Sequence, residues 1–307
     1  MNTGIIHGES NADYHGTDAV SHSKLNDFRR LPLYYYQKHV AKTLERDPPS
    51  KAMLIGTALH SYLLEGDAAF RKLFSVIPAD APKRPTKAQF VAKKPSVDTI
   101  AAIEYWTALE SNADQSGREL ITIEDAHLVH SMLNAVAEND AAAELLTDPL
   151  AMPEVVFRRQ MKHFTVQCRT DAVKIDPASR SYIVDVKTCG SLCAGDRGAF
   201  EKNLVSFGYH RQAAFYREVF CETLGITDHP DFYFIAVEKE APFQCVVYQL
   251  DDTALAIAER EIITDLKHLR DCYDKNEWPG APKGIQTLSL PAWYVGKAIE
   301  ATQEIFT

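Results

Sequence analysis

Apolar residues recur at helical spacing through the first half of the chain and alternate at strand spacing through much of the second. Residues 1–18 read as a flexible lead-in. Ser21 is placed as an N-cap, and a helix is predicted from there to Leu31, where Pro32 interrupts it. "KAMLIGTALHSYLLEG", residues 51–66, puts Leu54, Ala58, Leu59, Tyr62 and Leu63 on one helical stripe, with His60 lying in it. The Pro- and Lys-rich stretch at about 78–97 reads as a long exposed loop. Residues 98–111 and 124–146 predict two further helices. Glu124 and Asp125 suit the first turn of the second, where a helix dipole favours negative charge.

Beyond residue 146 the period changes. "EVVFRRQ", "FTVQCRTDAVKI" and "SYIVDVKT" predict three successive strands with short connections. "FGYHRQAAFYREVFCETLGI" predicts a helix ending at Gly225. "DFYFIAVEK" and "FQCVVYQL" predict two more strands, and residues 251–278 a long amphipathic helix. Helices before, within and after a run of strands imply a mixed central sheet flanked by helices, of α/β or α+β class. Residues 19–307 are expected to form a single domain.

One strand contradicts its own pattern. In "SYIVDVKTCG", Asp185 and Lys187 sit in the middle of a run of β-formers. A period of two puts both on one face, with Val184 and Val186 on the other. Burying a carboxylate and an ammonium is costly without partners. The preceding turn, "DPASR", is a five-residue hairpin loop. That length pairs Ile175 with Ser181 and so sets Asp171 opposite Asp185. Two carboxylates there repel each other. A divalent cation between them reverses the sign, and Mg²⁺ is commonly held by one or two carboxylates together with waters and a substrate phosphate. The lysine can then polarise an attacking water and offset charge developing on phosphorus. An Asp-x-Lys alone is common by chance. The register match with Asp171 makes this one a phosphodiester-hydrolysis candidate.

Charge and cysteines narrow the picture only slightly. The formal net charge of −9 argues mildly against a nucleic-acid partner, but the charge is segregated. Between Asp98 and Glu154 the sole Lys or Arg is Arg118, whereas "PKRPTKAQFVAKKP" carries Lys83, Arg84, Lys87, Lys93 and Lys94 without an acid. Cys189 and Cys193 are four residues apart with no second pair, a weak metal signal beside the ordinary reading of reduced thiols. No apolar run is long enough to span a bilayer and no leader-peptide pattern opens the chain, so a cytoplasmic protein is expected.

"CRTDAV" followed by "YIVDVKT" resembles the PD-(D/E)XK nuclease superfamily. "GTALH" and "YHRQAAFY" are similar to motifs of its RecB-like branch. The match extends from "YHGTDAVSHSKLNDFRRLPLYYY" to "NEWPGAPKGIQTLSLPAWYV" and is closest to RecE-type exonucleases, the exonuclease domain of exodeoxyribonuclease VIII. The resemblance implies His60, Asp171, Asp185 and the Val186 carbonyl as metal ligands. It implies Glu154 in support or on a second metal, Lys187 as the catalytic lysine, and Gln212, Tyr216 and Tyr209 as neighbours of the cut strand. It also implies a Mg²⁺-dependent exonuclease, with Mn²⁺ as a substitute, that degrades one strand of linear duplex DNA from its 5′ end. The 3′ single strands left behind would serve recombination and repair by annealing. A ring-like homotetramer, a RecT-like annealing partner and a bacterial, phage or prophage source come with it.

Some relatives hold an iron–sulfur cluster whose first cysteine precedes the proline of the helix at "SKLNDFRRLP". Leu31 stands there and no cysteine precedes Cys168, so no cluster is expected. Sequence-independent DNA binding rests on phosphate contacts, for which Lys83, Arg84, Lys87, Lys93 and Lys94, with Tyr209 and Gln212, are the candidates. Two alternatives stay open: an end-independent endonuclease of a defence system on the same fold, and a non-catalytic DNA-end-binding protein.

Overall fold

The computed structural model describes residues 2–44, 50–190, 192, 199–292 and 294–295. The N-terminal part contains β1 (Gly4–Ile6), α1 (Asn11–Gly16), α2 (His22–Arg30), α3 (Pro32–Tyr35), α4 (Lys51–Glu65) and α5 (Asp67–Leu73). There follow β2 (Phe74–Val76), α6 (Lys87–Phe90), α7 (Val97–Ser116), β3 (Glu119–Ile121), α8 (Ile123–Ala137) and α9 (Asp140–Thr147). The second half contains β4 (Ala151–Gln160), β5 (Thr165–Lys174), β6 (Tyr182–Cys189), α10 (Ala199–Ser206), α11 (Tyr209–Leu224), β7 (Asp231–Glu238), β8 (Cys245–Gln249) and α12 (Asp252–Lys275).

Six strands form one mixed sheet in the order β1-β4-β5-β6-β7-β8, antiparallel except for β6 and β7. This is the mixed sheet flanked by helices that the alternation predicts. The β5–β6 hairpin has the register its loop length requires: Lys174 faces Tyr182, Val173 faces Ile183 and Ala172 faces Val184. Helices cover both faces. α2, α11 and α12 pack on one through Phe28, Phe215, Phe220 and Leu269 against Phe157, Cys168, Ile183 and Phe234. α4, α5 and α8 pack on the other through Leu59, Phe70 and Met132 against Val184, Val186 and Ile235. Each fully buried side chain of this size contributes about 1.5–3 kcal/mol.

Three expectations differ from the structure. The lead-in is ordered: β1 pairs with the edge of β4, and Ser10 caps α1. A three-residue strand is too short to leave a period. The helix expected over 124–146 is two helices, because Asn139 caps α9 with its side-chain oxygen while its amide donates to the Cys245 carbonyl at 2.9 Å. The exposed stretch at 78–97 holds a helical turn, α6, fixed by a capping box between Thr86 and Gln89. Among the described residues no helix is long and apolar enough to cross a membrane.

Candidate active site

The site forms where β4, β5 and β6 meet the middle of α4 and the start of α11. On β4 and β5 the side-chain alternation breaks at the same level. Met152 and then Val155 of β4 pack toward α11, as do Cys168 and then Val173 of β5. Both strands thus change phase, while the pairing resumes unshifted from Pro153–Ala172 to Val155–Thr170. At the break Glu154 takes a φ of +54°, in the left-handed region that side chains other than glycine seldom adopt. Glu154 lies across from Asp171 there. Its carboxylate is ion-paired with Arg169, and burial, then the Asp171 charge, pushes its pKa up to about 7.

The β5–β6 ladder stops one pair short of Asp171 and Asp185. In place of the next backbone bond, the Val186 N–H donates to Asp171 Oδ2 at 2.5 Å. His60, on α4, closes the arrangement from the opposite layer. Its Nδ1 lies 3.4 Å from Asp171 Oδ1 and its Nε2 lies 3.1 Å from the Val186 carbonyl oxygen. Burial lowers the imidazole pKa, but the Asp171 carboxylate outweighs it and the pKa rises to about 9. Asp171 is likewise raised by burial, yet His60 holds it below the usual carboxylate range.

Asp185 and Lys187 share one face of β6, on the side of α11. Gln212 Nε2 donates to Asp185 Oδ1 at 2.6 Å. Lys187 Nζ lies 2.7 Å from Asp185 Oδ2. The contact is a buried ion pair at charge-assisted hydrogen-bonding distance. Burial raises the Asp185 carboxyl pKa. It opposes the ammonium of Lys187, which Asp185 and Asp171 nonetheless hold charged. The ammonium also sits 4.9 Å above the Tyr209 ring.

His60, Glu154 and Asp171 each offer a ligand atom within 4.8 Å of the others. An imidazole and hard carboxylate oxygens suit a small divalent cation. The donor set itself is the observation that fits one: a buried carboxylate, a second carboxylate and an imidazole, drawn from three different elements, converge on one point. Asp185 itself stands outside the cluster, held by Gln212 and Lys187.

Of the candidate residues, His60, Glu154, Asp171, Asp185, Val186, Lys187, Tyr209 and Gln212 converge. Tyr216, one turn beyond Gln212, lines a cleft of about 530 Å³ with His60, Glu154 and Asp171. Lys83, Arg84, Lys87, Lys93 and Lys94 do not line this cleft. Arg84 is ion-paired with Glu110 and lies 5.2 Å from the Trp106 ring, while the four lysines are exposed. Cys193 lies outside the described residues. Asn11, Tyr14, His15 and Arg169 also line the first cleft. The first three come from the segment read as a lead-in, and an arginine in a strand reads as a solvated side chain.

The family model for a PDDEXK-like domain of unknown function (DUF3799) matches residues 21–290. A comparison with curated proteins returns no match. Among solved structures, a "putative exonuclease" from Eubacterium rectale aligns over 93% of this chain and 95% of its own, at 14% identity and a TM-score of 0.57. At that identity the likeness is one of fold. SSO0001 aligns over 46% of this chain and 68% of its own at 13% identity, with a TM-score of 0.25, and nothing rests on it.

Proposed function

We propose, from the premise that this chain belongs to the PDDEXK-like family DUF3799, that it is a metal-dependent nuclease acting on the ends of duplex DNA. The observation that carries the reading is the meeting of Asp171, Asp185 and Lys187 with His60 and Glu154 at one level of the sheet. His60, Glu154 and Asp171 would hold a Mg²⁺ or Mn²⁺ ion, with Asp185 and the Val186 carbonyl completing the set. Such an ion supplies a Lewis acid for the phosphate and a more acidic water. Lys187 is positioned to orient the attacking water and to balance charge on the phosphate. Asp185 holds that ammonium in place, Gln212 fixes the Asp185 carboxylate, and the Tyr209 ring supports the ammonium from the other side.

The sequence resemblance extends the proposal to the RecE type: one strand removed from its 5′ end, recombination by annealing with a RecT-like partner, and a homotetramer. The four exposed lysines of the 78–97 stretch are offered as phosphate contacts outside the cleft lining. Arg84 is the weaker candidate, being engaged by Glu110 and Trp106. The deciding experiment digests duplexes labelled separately at the 5′ and 3′ ends, beside a closed circle, with Mg²⁺, with Mn²⁺ and with EDTA. Loss of the 5′ label first, an intact circle and no reaction in EDTA are expected. Cutting of the circle would replace end-dependence with endonuclease action. No hydrolysis with either metal would end the nuclease reading.

A further inference from the structure

Two clefts adjoin along His15, Met53, Thr57 and His60. The second, of about 770 Å³, is lined also by Lys187, Phe207, Tyr209 and Lys239. The two differ in charge. The first presents Glu65, Glu119, Glu154 and Asp171 against the single guanidinium of Arg169. The second presents Lys187 and Lys239, and the Lys239 ammonium pairs with no carboxylate among the described residues. A polyanionic strand leaving the phosphodiester site is drawn to the second.

Two apolar side chains stand open on that cleft: Phe207 is 59% exposed and Met53 is 62% exposed. Single exposed apolar residues are ordinary on a protein surface. Phe207 differs in how it is held. It occupies the corner between α10 and α11, where Gly208 takes a φ of +69° and so permits the sharp turn. Its N–H donates to the Asn203 carbonyl at 2.9 Å. Its ring rests on Tyr209, with centroids 5.5 Å apart and planes 33° from parallel. Tyr209 is the ring that lies under Lys187. A rigid exposed aromatic surface is thus placed two ring contacts from the candidate catalytic ammonium. An aromatic platform beside a basic groove is the physical pattern for sequence-tolerant binding of an unpaired nucleic-acid strand.

We propose that the second cleft seats the nucleotide next to the scissile phosphate, with its base stacked on Phe207 and its phosphate held by Lys239. The proposal rests on the nuclease reading and adds to it the position and chemistry of a strand-binding subsite. The test measures equilibrium binding of DNA ends carrying a single abasic nucleotide at successive positions from the terminus, alongside hydrolysis rates. Wild-type protein should lose affinity at one abasic position near the cut. Phe207→Ala should bind intact DNA roughly tenfold more weakly and show no further loss at that position. Phe207→Trp should behave as wild type. Lys239→Ser should reduce the slope of log affinity against log salt by about one. If Phe207→Ala cuts DNA and keeps both wild-type affinity and the abasic penalty, the subsite is overturned and the nuclease reading stands. If wild-type protein neither binds nor cuts DNA with Mg²⁺ or Mn²⁺, both fall together.

Discussion

Asp185 is almost wholly removed from water, with one oxygen bonded to Gln212 and the other facing only the Lys187 charge. A carboxylate so placed costs stability unless something offsets the burial. Asp185→Asn retains the size and one acceptor for Gln212. It should abolish hydrolysis while the far-ultraviolet circular dichroism stays that of the wild type, and near-normal turnover would sink the assignment. Lys187→Ala should slow hydrolysis by roughly 10²–10⁴, the range for losing a positioned polarising or proton-transfer group. Lysine is no metal ligand, so calorimetry should still find the metal bound. A loss of affinity equal to that of Asp185→Asn would contradict the role. The register that leads toward Asp171 and Asp185 was legible because strand period and loop length are local, though the ladder ends one pair before them. The ladder observed from Lys174–Tyr182 to Ala172–Val184 runs in that register. His60, 126 residues from Val186, could be placed only by resemblance, since spacing says nothing of contacts between distant elements. The left-handed backbone at Glu154 and its pairing with Arg169 left no trace, because nothing in "PEVV" demands that conformation.

Long elements were legible where their apolar period ran for two turns or more, as in α4, α7, α11 and α12. The short β1, β2 and β3 were not, because three residues carry no period and each depends on a partner strand far away in sequence. The join between α2, α11 and α12 was also out of reach. It is a polar cluster within the helix layer, with Arg211 at its centre. Arg211 Nη1 donates to Asn26 Oδ1 at 2.7 Å, Arg211 Nε lies 3.2 Å from Glu261, and Asp265 is ion-paired with both Arg211 and Arg29. Arg211 and Asp265 are both buried. Removing one partner of a buried pair leaves the other charge uncompensated, at a typical cost of about 3–5 kcal/mol. Glu261 remains in place, so Asp265→Ala should cost about 3 kcal/mol, at the lower end of that range. Urea unfolding would show it as a lower midpoint with an unchanged slope. An unshifted midpoint would mean that apolar packing alone holds these helices.

At the scale of the whole molecule, the segment before α2 belongs to the structure and to the candidate site together. β1 covers the outer edge of β4, Tyr14 is buried, and its carbonyl accepts from Gln167 Nε2 at 3.1 Å. Arg158, 2% exposed on β4, depends on this segment: its Nη2 donates to Glu9 at 2.7 Å and its Nη1 to the Asn2 carbonyl at 3.4 Å. The same segment brings Asn11, Tyr14 and His15 to the first cleft. Deleting residues 1–9 would strip the β1 pairing from the outer edge of β4 and leave the Arg158 guanidinium with Gln167 as its remaining partner. Breaking a buried charge pair costs about 3–5 kcal/mol, and an uncovered strand edge invites association between chains. The truncated protein should therefore unfold at lower urea concentration and scatter more light on warming, whereas Glu9→Gln, which keeps β1 and an acceptor for Arg158, should show a smaller shift and no added scattering. A truncated chain with wild-type stability and solubility would return residues 1–9 to the status of a lead-in and leave the order of the sheet edge to β4 alone.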